Sequence, residues 1–389
     1  LSLEHLCPKG GQKRMSNSVK VAINGFGRIG RMAFRRAYEE NQVEVGPKLE
    51  VVAINDLSDP ANLAYLLKYD SAHGIFNHEV SFYKDESHAA EGTLGGLIVD
   101  GKKIPVYAIA KSGAPLSKRV FANADQTKNV FFPWKELGVK VVLESTGFYL
   151  KKELAQDHID AGAEYVIMSA PAKDDTPTFV YGVNTDKLTP DMHVVSGASC
   201  TTNCLSPMLS VIEKKWGVKA GFMTTVHAYT NDQTTLDLIK AKDFRRGRAA
   251  AENIVPTSTG AAKAVKLVIP SMAGRLDGIA IRVPVLDGSL CDLTLELKEH
   301  GATVEEINAL EKAASEGELK GVLGYNTDPI VSRDILGRTE GSIFDATETK
   351  VIKTEDGAEL VKVFAWYDNE FSYTCQFVRL AKKVASFVA

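Results

Sequence analysis

Val19-Lys20-Val21-Ala22-Ile23-Asn24-Gly25-Phe26-Gly27-Arg28-Ile29-Gly30 reads as a buried strand that breaks into glycines, and a helical pattern from Arg31 to Glu40 follows at once. Gly25, Gly27 and Gly30 space as G-x-G-x-x-G. The first glycine permits a tight turn, the second lets the backbone approach a pyrophosphate, and the third lets helix and strand pack closely. The pyrophosphate then rests on a helix N-terminus, where backbone N–H groups lack partners. Glycine-rich turns are common, so the next strand matters. Leu49 to Ile54 is apolar and ends in Asn55-Asp56, which puts a carboxylate where a ribose diol is held. That charge also repels a ribose phosphate, favouring NAD over NADP. The alternative for Asp56 is a helix cap, because Asp59-Pro60 nearby reads as a helix start.

Outward from this unit, strands and helices alternate. Leu63 to Leu67 is helical. Val80–Tyr83, Gly96–Val99 and Lys103–Ala108 are short strands. Val139–Glu144 is a buried strand ending in Ser145-Thr146-Gly147, and small hydroxyl residues at a strand's C-terminal end lie where ligands bind in open parallel sheets. Lys151–Ala161 is a helix, and Tyr165–Met168 and His193–Val195 are strands. The expected class is α/β, with a Rossmann-type doubly wound parallel sheet over residues 15–199. Beyond Cys200 the pattern changes. A helix to about Trp216 precedes a long strand, Ala220–Thr230, and an irregular stretch, Asn231–Pro256. Thr257 to Gly260 open a helix at Ala261–Val268. Strands at Gly278–Val285, Leu290–Leu297 and Val361–Tyr367 and a helix at Thr303–Ala314 complete an α+β catalytic domain, residues 200–368, with a mostly antiparallel sheet. A closing helix, Phe377–Phe387, is expected within a C-terminal segment, 369–389, that completes the first domain. Leu1–Arg14 is expected to be a leader or disordered extension.

The 389 residues suit two domains, and 44% apolar with 24% charged residues is ordinary for a globular enzyme. A net charge of −3 attracts neither nucleic acid nor an anionic membrane. Five cysteines without a C-x-x-C pair argue against a disulfide framework or zinc site and for a reducing, cytoplasmic compartment. No metal is expected.

Cys200 sits in Ser196-Gly197-Ala198-Ser199-Cys200-Thr201-Thr202-Asn203-Cys204, where a strand turns into a helix. A thiol at a helix N-terminus loses its proton more easily than a free one, which suits a nucleophile. A buried structural cysteine beside a capping Ser or Thr is the alternative.

From Met15 onward the chain resembles the phosphorylating glyceraldehyde-3-phosphate dehydrogenase family. The motifs that carry this are the glycine loop, Ala198-Ser199-Cys200-Thr201-Thr202-Asn203-Cys204, His227-Ala228-Tyr229-Thr230, Ser258-Thr259-Gly260-Ala261-Ala262-Lys263, Arg282-Val283-Pro284 and Trp366-Tyr367-Asp368-Asn369-Glu370, in that order. Erythrose-4-phosphate dehydrogenase shares the Cys and His but usually lacks the His-Ala-Tyr-Thr and Ser-Thr-Gly signatures. The resemblance implies a glycolytic oxidoreductase in which Cys200 is the nucleophile and His227 its base. It implies NAD contacts from Gly25, Phe26, Gly27, Arg28, Ile29, Asp56, Ser145, Thr146, Gly147 and Asn369, the last on the nicotinamide carboxamide. Thr230 and Arg282 are implied for the phosphate of glyceraldehyde 3-phosphate. Ser199, Thr201, Thr259, Gly260 and Arg246 are implied for inorganic phosphate. A homotetramer is implied too, with 231–256 packed across a subunit interface. Two stretches depart from the family pattern: Phe371-Ser372-Tyr373-Thr374-Cys375, and Asp237 to Asp243, which lacks a proline often found there.

Overall fold

The computed structural model describes residues 18–43, 47–85, 87–121, 127–355 and 357–389; the expected extension at 1–14 lies outside them. The glycine loop joins strand β1 (Ser18–Asn24) to helix α1 (Arg28–Val43), which starts three residues earlier than its periodicity suggests. Strand β2 (Lys48–Asn55) follows, then helix α2 (Pro60–Lys68). Asp59 caps α2 by accepting from Ala61 N–H, so the cap is Asp59, while Asp56 accepts from Ser58 N–H at 2.9 Å just ahead of it. Strands β3 (Val80–Lys84), β4 (Thr93–Val99), β5 (Lys102–Tyr107), β6 (Val141–Glu144), β7 (Tyr165–Met168) and β8 (Val194–Ser196) complete the first sheet, with helix α3 (Lys152–Asp160) between β6 and β7. Its order is β8-β7-β6-β1-β2-β5-β4-β3. Pairing is parallel from β8 to β5, whereas β5, β4 and β3 pair antiparallel. The expected parallel sheet therefore ends in an antiparallel meander, because the short turns at that edge leave no room for crossover helices.

Helix α4 (Cys200–Trp216) leads into the second sheet. There β9 (Val218–Ala228), β10 (Val255–Ser258), β11 (Leu276–Val283), β12 (Ser289–Leu297), β13 (Leu323–Asn326), β14 (Ser342–Asp345), β15 (Lys350–Lys353) and β16 (Glu359–Tyr367) are joined by helices α5 (Ala261–Val268) and α6 (Val304–Glu316). The order is β10-β11-β9-β12-β16-β14-β13, with β15 on β16. Only β9–β11 and β13–β14 pair in parallel, so this sheet is mostly antiparallel. Strands β10, β13, β14 and β15 were not anticipated from sequence, β10 lying where an irregular stretch and a helix opening were expected; at four residues each they are too short to show a period.

Helix α7 (Phe371–Ala385) begins six residues before the predicted Phe377, since Asp368 Oδ1 accepts from Glu370 and Phe371 N–H and starts it earlier. Its Tyr373, Phe377, Val378 and Leu380 pack in one core with Val21, Ile23, Phe34 and Ile54 of the first sheet's layer. Phe377 is 1% exposed, and truncating such a ring to Ala typically costs about 3–5 kcal/mol.

One buried charge lies outside this logic. Glu311 on α6 is 0% exposed and neither carboxylate oxygen has a hydrogen-bond partner. Burial raises its pKa well above the usual carboxylate range. The unfolded chain releases this proton near its ordinary pKa, while the folded chain retains it. Glu311 therefore subtracts stability as pH rises above the ordinary carboxylate value and subtracts nothing below it. We expect Glu311→Gln to raise the melting temperature at pH 8 and to match the parent chain near pH 4; an unchanged difference across that range would refute the assignment.

Candidate active site

The turn Ser196-Gly197-Ala198 delivers Cys200 to the first position of α4. Ala198 takes φ +58°, a left-handed conformation costly for a residue with a Cβ, and its carbonyl accepts from Tyr373 OH at 3.2 Å. Ser199 caps the helix by accepting from Thr202 N–H at 3.1 Å, which leaves the Cys200 and Thr201 N–H groups at the open helix end.

His227 lies near the end of β9, and parallel pairing with β11 sets Arg282 beside it. Its Nε2 is 3.6 Å from Cys200 Sγ. Nδ1 is 2.7 Å from Ala228 O and 3.0 Å from Arg282 Nη1. Ala228 O can only accept and Arg282 Nη1 can only donate; because Arg282 Nη1 has the same carbonyl to donate to at 3.2 Å and the 2.7 Å contact is the shorter, we assign the ring proton to Nδ1. The Nε2 lone pair then faces the sulfur. Burial pushes the Cys200 thiol up to about 11, against the pull of the Arg282 charge, and burial with the Arg282 charge lowers His227 to about 3. A helix N-terminus favours the thiolate, and burial of the sulfur among its neighbours works against it.

Cys200 and His227 line a cavity of about 560 Å³ with Arg28, Ile29, Ser199, Tyr229, Thr230, Asn369, Glu370 and Tyr373. Arg282 Nη1 reaches Thr230 Oγ1 at 3.5 Å, while its buried Nε has no partner and burial lowers its pKa. An unneutralised guanidinium of this kind calls for an anion. Asn369, which lines the cavity, has its Oδ1 occupied by Gly288 N–H at 3.2 Å and Ser289 Oγ at 2.6 Å, so its NH₂ is the end left to donate to a ligand.

The dinucleotide loop fits its expected ligand. Gly25 has φ +89°, and a Cβ there would sit 2.8 Å from the Ser145 carbonyl carbon and Thr146 N; one on Gly30 would meet Gly25 O at 2.1 Å. A Cβ on Gly27 would meet nothing within 4 Å, so this side of the loop is open to a pyrophosphate. Phe26 is buried and contributes backbone only. Its N–H donates to Asp56 Oδ2 at 2.7 Å, tying loop to acid. Ser145 Oγ is buried without a partner, and Thr146 N–H and Oγ1 both donate to Glu144 Oε1. Arg28 differs from expectation. Its guanidinium is taken by Asp70 and Glu370, which hold it above its usual range despite burial, so its backbone at the helix start is what remains for the cofactor.

Two other expected positions are already engaged. The Thr201 hydroxyl is 2.9 Å from the buried Tyr367 OH, which also meets Thr225 Oγ1 at 2.8 Å. Arg246 holds Asp232 and Asp243 and donates to Ser258 O at 3.2 Å, so an anion must compete with two carboxylates for it. Thr259 Oγ1 accepts from Ala261 N–H beside Gly260, at the start of α5. Ser169, Tyr229 and Tyr373 also line the cavity and were not singled out from sequence; Tyr229 and Tyr373 lay inside quoted stretches, but nothing marked them as lining.

Residues 19–118 match the model of the glyceraldehyde 3-phosphate dehydrogenase NAD binding domain, and residues 199–369 that of the C-terminal domain. The chain is 52% identical to the glyceraldehyde-3-phosphate dehydrogenase of Clostridium pasteurianum over 93% of its own length and 97% of that protein's. It is 50% identical to that of Geobacillus stearothermophilus, over 95% and 99%. With NAD as the cofactor its nucleotide-binding half takes, the chain belongs to the glyceraldehyde-3-phosphate dehydrogenase family.

Proposed function

We propose that Cys200 and His227 carry out the oxidative phosphorylation of D-glyceraldehyde 3-phosphate to the acyl phosphate bisphosphoglycerate, the glycolytic reaction of this family. The observation that carries the residue assignment is the 3.6 Å approach of Cys200 Sγ to His227 Nε2, the ring nitrogen left bare when Nδ1 donates to Ala228 O. As the sulfur attacks the aldehyde carbon, Nε2 takes the thiol proton and returns it to the carbonyl oxygen, giving a hemithioacetal. The Cys200 N–H at the open helix end faces the charge that develops on that oxygen. Nε2 then removes the hydroxyl proton as the C–H bond releases its electron pair, and a thioester remains on Cys200. NAD, when bound, accepts that hydride. A phosphate oxygen attacks the thioester carbon, the C–S bond breaks, and His227 returns its proton to the leaving sulfur.

Thr230 and Arg282 suit the substrate phosphate, since the Arg282 guanidinium lies against His227 with its Nε unpartnered and its Nη1 3.5 Å from Thr230 Oγ1. Ser199, Thr201, Thr259, Gly260 and Arg246 are the groups we assign to inorganic phosphate. Asn369, amide outward, suits the nicotinamide carboxamide. Gly25, Phe26, Gly27, Arg28, Ile29, Asp56, Ser145, Thr146 and Gly147 form the rest of the cofactor surface. The natural division is residues 15–199 with the segment 369–389 as the nucleotide domain and 200–368 as the catalytic one. We further infer a homotetramer: Leu236, Leu238, Ile239 and Phe244 project from 231–256 at 67% exposure or more, an apolar surface suited to a second copy. A cytoplasmic setting accords with Cys200, Cys204 and Cys291, which form no disulfide among the described residues.

Steady-state NAD reduction should depend strongly on inorganic phosphate; equal turnover without it would refute the reading. Cys200→Ser should abolish this turnover. His227→Asn should slow alkylation of Cys200 by iodoacetamide at pH 7 by about tenfold or more, because the sulfur loses its proton acceptor. An unchanged alkylation rate would show that the pair does not exchange a proton.

A further inference from the structure

Ser289, the first residue of β12, is 1% exposed and its hydroxyl lies between two groups of the site. Ala228 N–H is 3.1 Å from Ser289 Oγ, and an amide N–H can only donate, so the oxygen accepts there. The single hydroxyl proton is left for Asn369 Oδ1 at 2.6 Å. Gly288 N–H donates to the same Oδ1 at 3.2 Å, which identifies that atom as the amide oxygen. The Asn369 NH₂ is thereby the end of the amide left to donate in the cavity that Asn369 lines. Ala228 is also the residue whose carbonyl takes the His227 Nδ1 proton. One hydroxyl thus stands between the backbone that orients the base and the amide that faces the cofactor.

We propose that Ser289 is a positioning residue for NAD: its hydroxyl holds Asn369 amide-outward and anchors it to the strand that carries His227. Its substrate class is the carboxamide of the nicotinamide ring, which needs a donor aimed at its oxygen. The proposal rests on the assignment of Asn369 to that carboxamide. Without the hydroxyl, Asn369 keeps the weaker Gly288 contact alone, so its amide is less firmly aimed, and Ala228 N–H loses its buried acceptor. The consequence is a graded loss, specific to the carboxamide and indifferent to the rest of the dinucleotide.

The test is equilibrium binding to the intact protein of NAD and of a dinucleotide whose pyridinium ring lacks the carboxamide. Ser289→Ala should weaken NAD binding about fivefold and leave the analogue within about twofold, the scale of one buried hydrogen bond. Ser289→Thr, which keeps the hydroxyl, should restore NAD binding. Should the alanine variant not fold, Ser289→Cys tests the same direction through a poorer donor. Equal weakening of both dinucleotides, or of neither, overturns the proposal. Asn369→Ala separates the two assignments. If it fails to discriminate NAD from the analogue, the carboxamide reading falls and takes the proposal with it. If Asn369→Ala discriminates and Ser289→Ala does not, the role of Ser289 alone is refuted.

Discussion

A backbone carbonyl sets the chemistry of this site. Ala228 O, 2.7 Å from His227 Nδ1, fixes which ring nitrogen carries the proton, and so presents a bare Nε2 to the Cys200 sulfur. The imidazole needs no carboxylate partner for this. Arg282 occupies the position where a carboxylate could sit, shares the carbonyl, and lowers the basicity of the ring. A weak base beside a weak acid is a consistent pair. Burial disfavours charge on either group, and the proton moves when the aldehyde gives the sulfur something to attack.

Holding that pair against the nucleotide loop requires contacts across the two sheets. Arg28, in the first turn of α1, is bound by Asp70 and by Glu370, and Glu370 lies just ahead of α7. His73 joins the same cluster, 3.2 Å from Asp287 and 3.3 Å from Glu370. Although burial opposes it, these carboxylates raise His73 to about 10, so it acts as a cation at neutral pH. Two cations thus link loops of the first layer to the strand ends of the second. The apolar face of α7 adds its packing on the other side of the same junction.

Much of this was legible in the chain itself. The glycine spacing required a strand, a turn and a helix, because only residues without a Cβ fit at Gly25 and Gly30. The position of Cys200 followed from a strand, a small-residue turn and a helical period. Asp56 was readable as an acid at a strand end, and the capping role of Asp59 from its neighbour proline. What was not legible was mostly short or non-local. Strands β13 and β14 are too brief to show alternation, and the start of α7 depends on one carboxylate of Asp368.

By itself the sequence determined the local elements and the types of reactive group, because turn chemistry and hydrophobic period act over a few residues. Tertiary structure alone decided what those groups do. It paired His227 with Arg282 through strand register, tied up the Thr201 hydroxyl on Tyr367, neutralised Arg28 and Arg246 with carboxylates, and put Ser289 against Asn369. It also set burial against the helix terminus at Cys200. A helix terminus can be read from sequence, but the desolvation that opposes it comes from strands and side chains distant along the chain, and it exists only once they have closed around the sulfur.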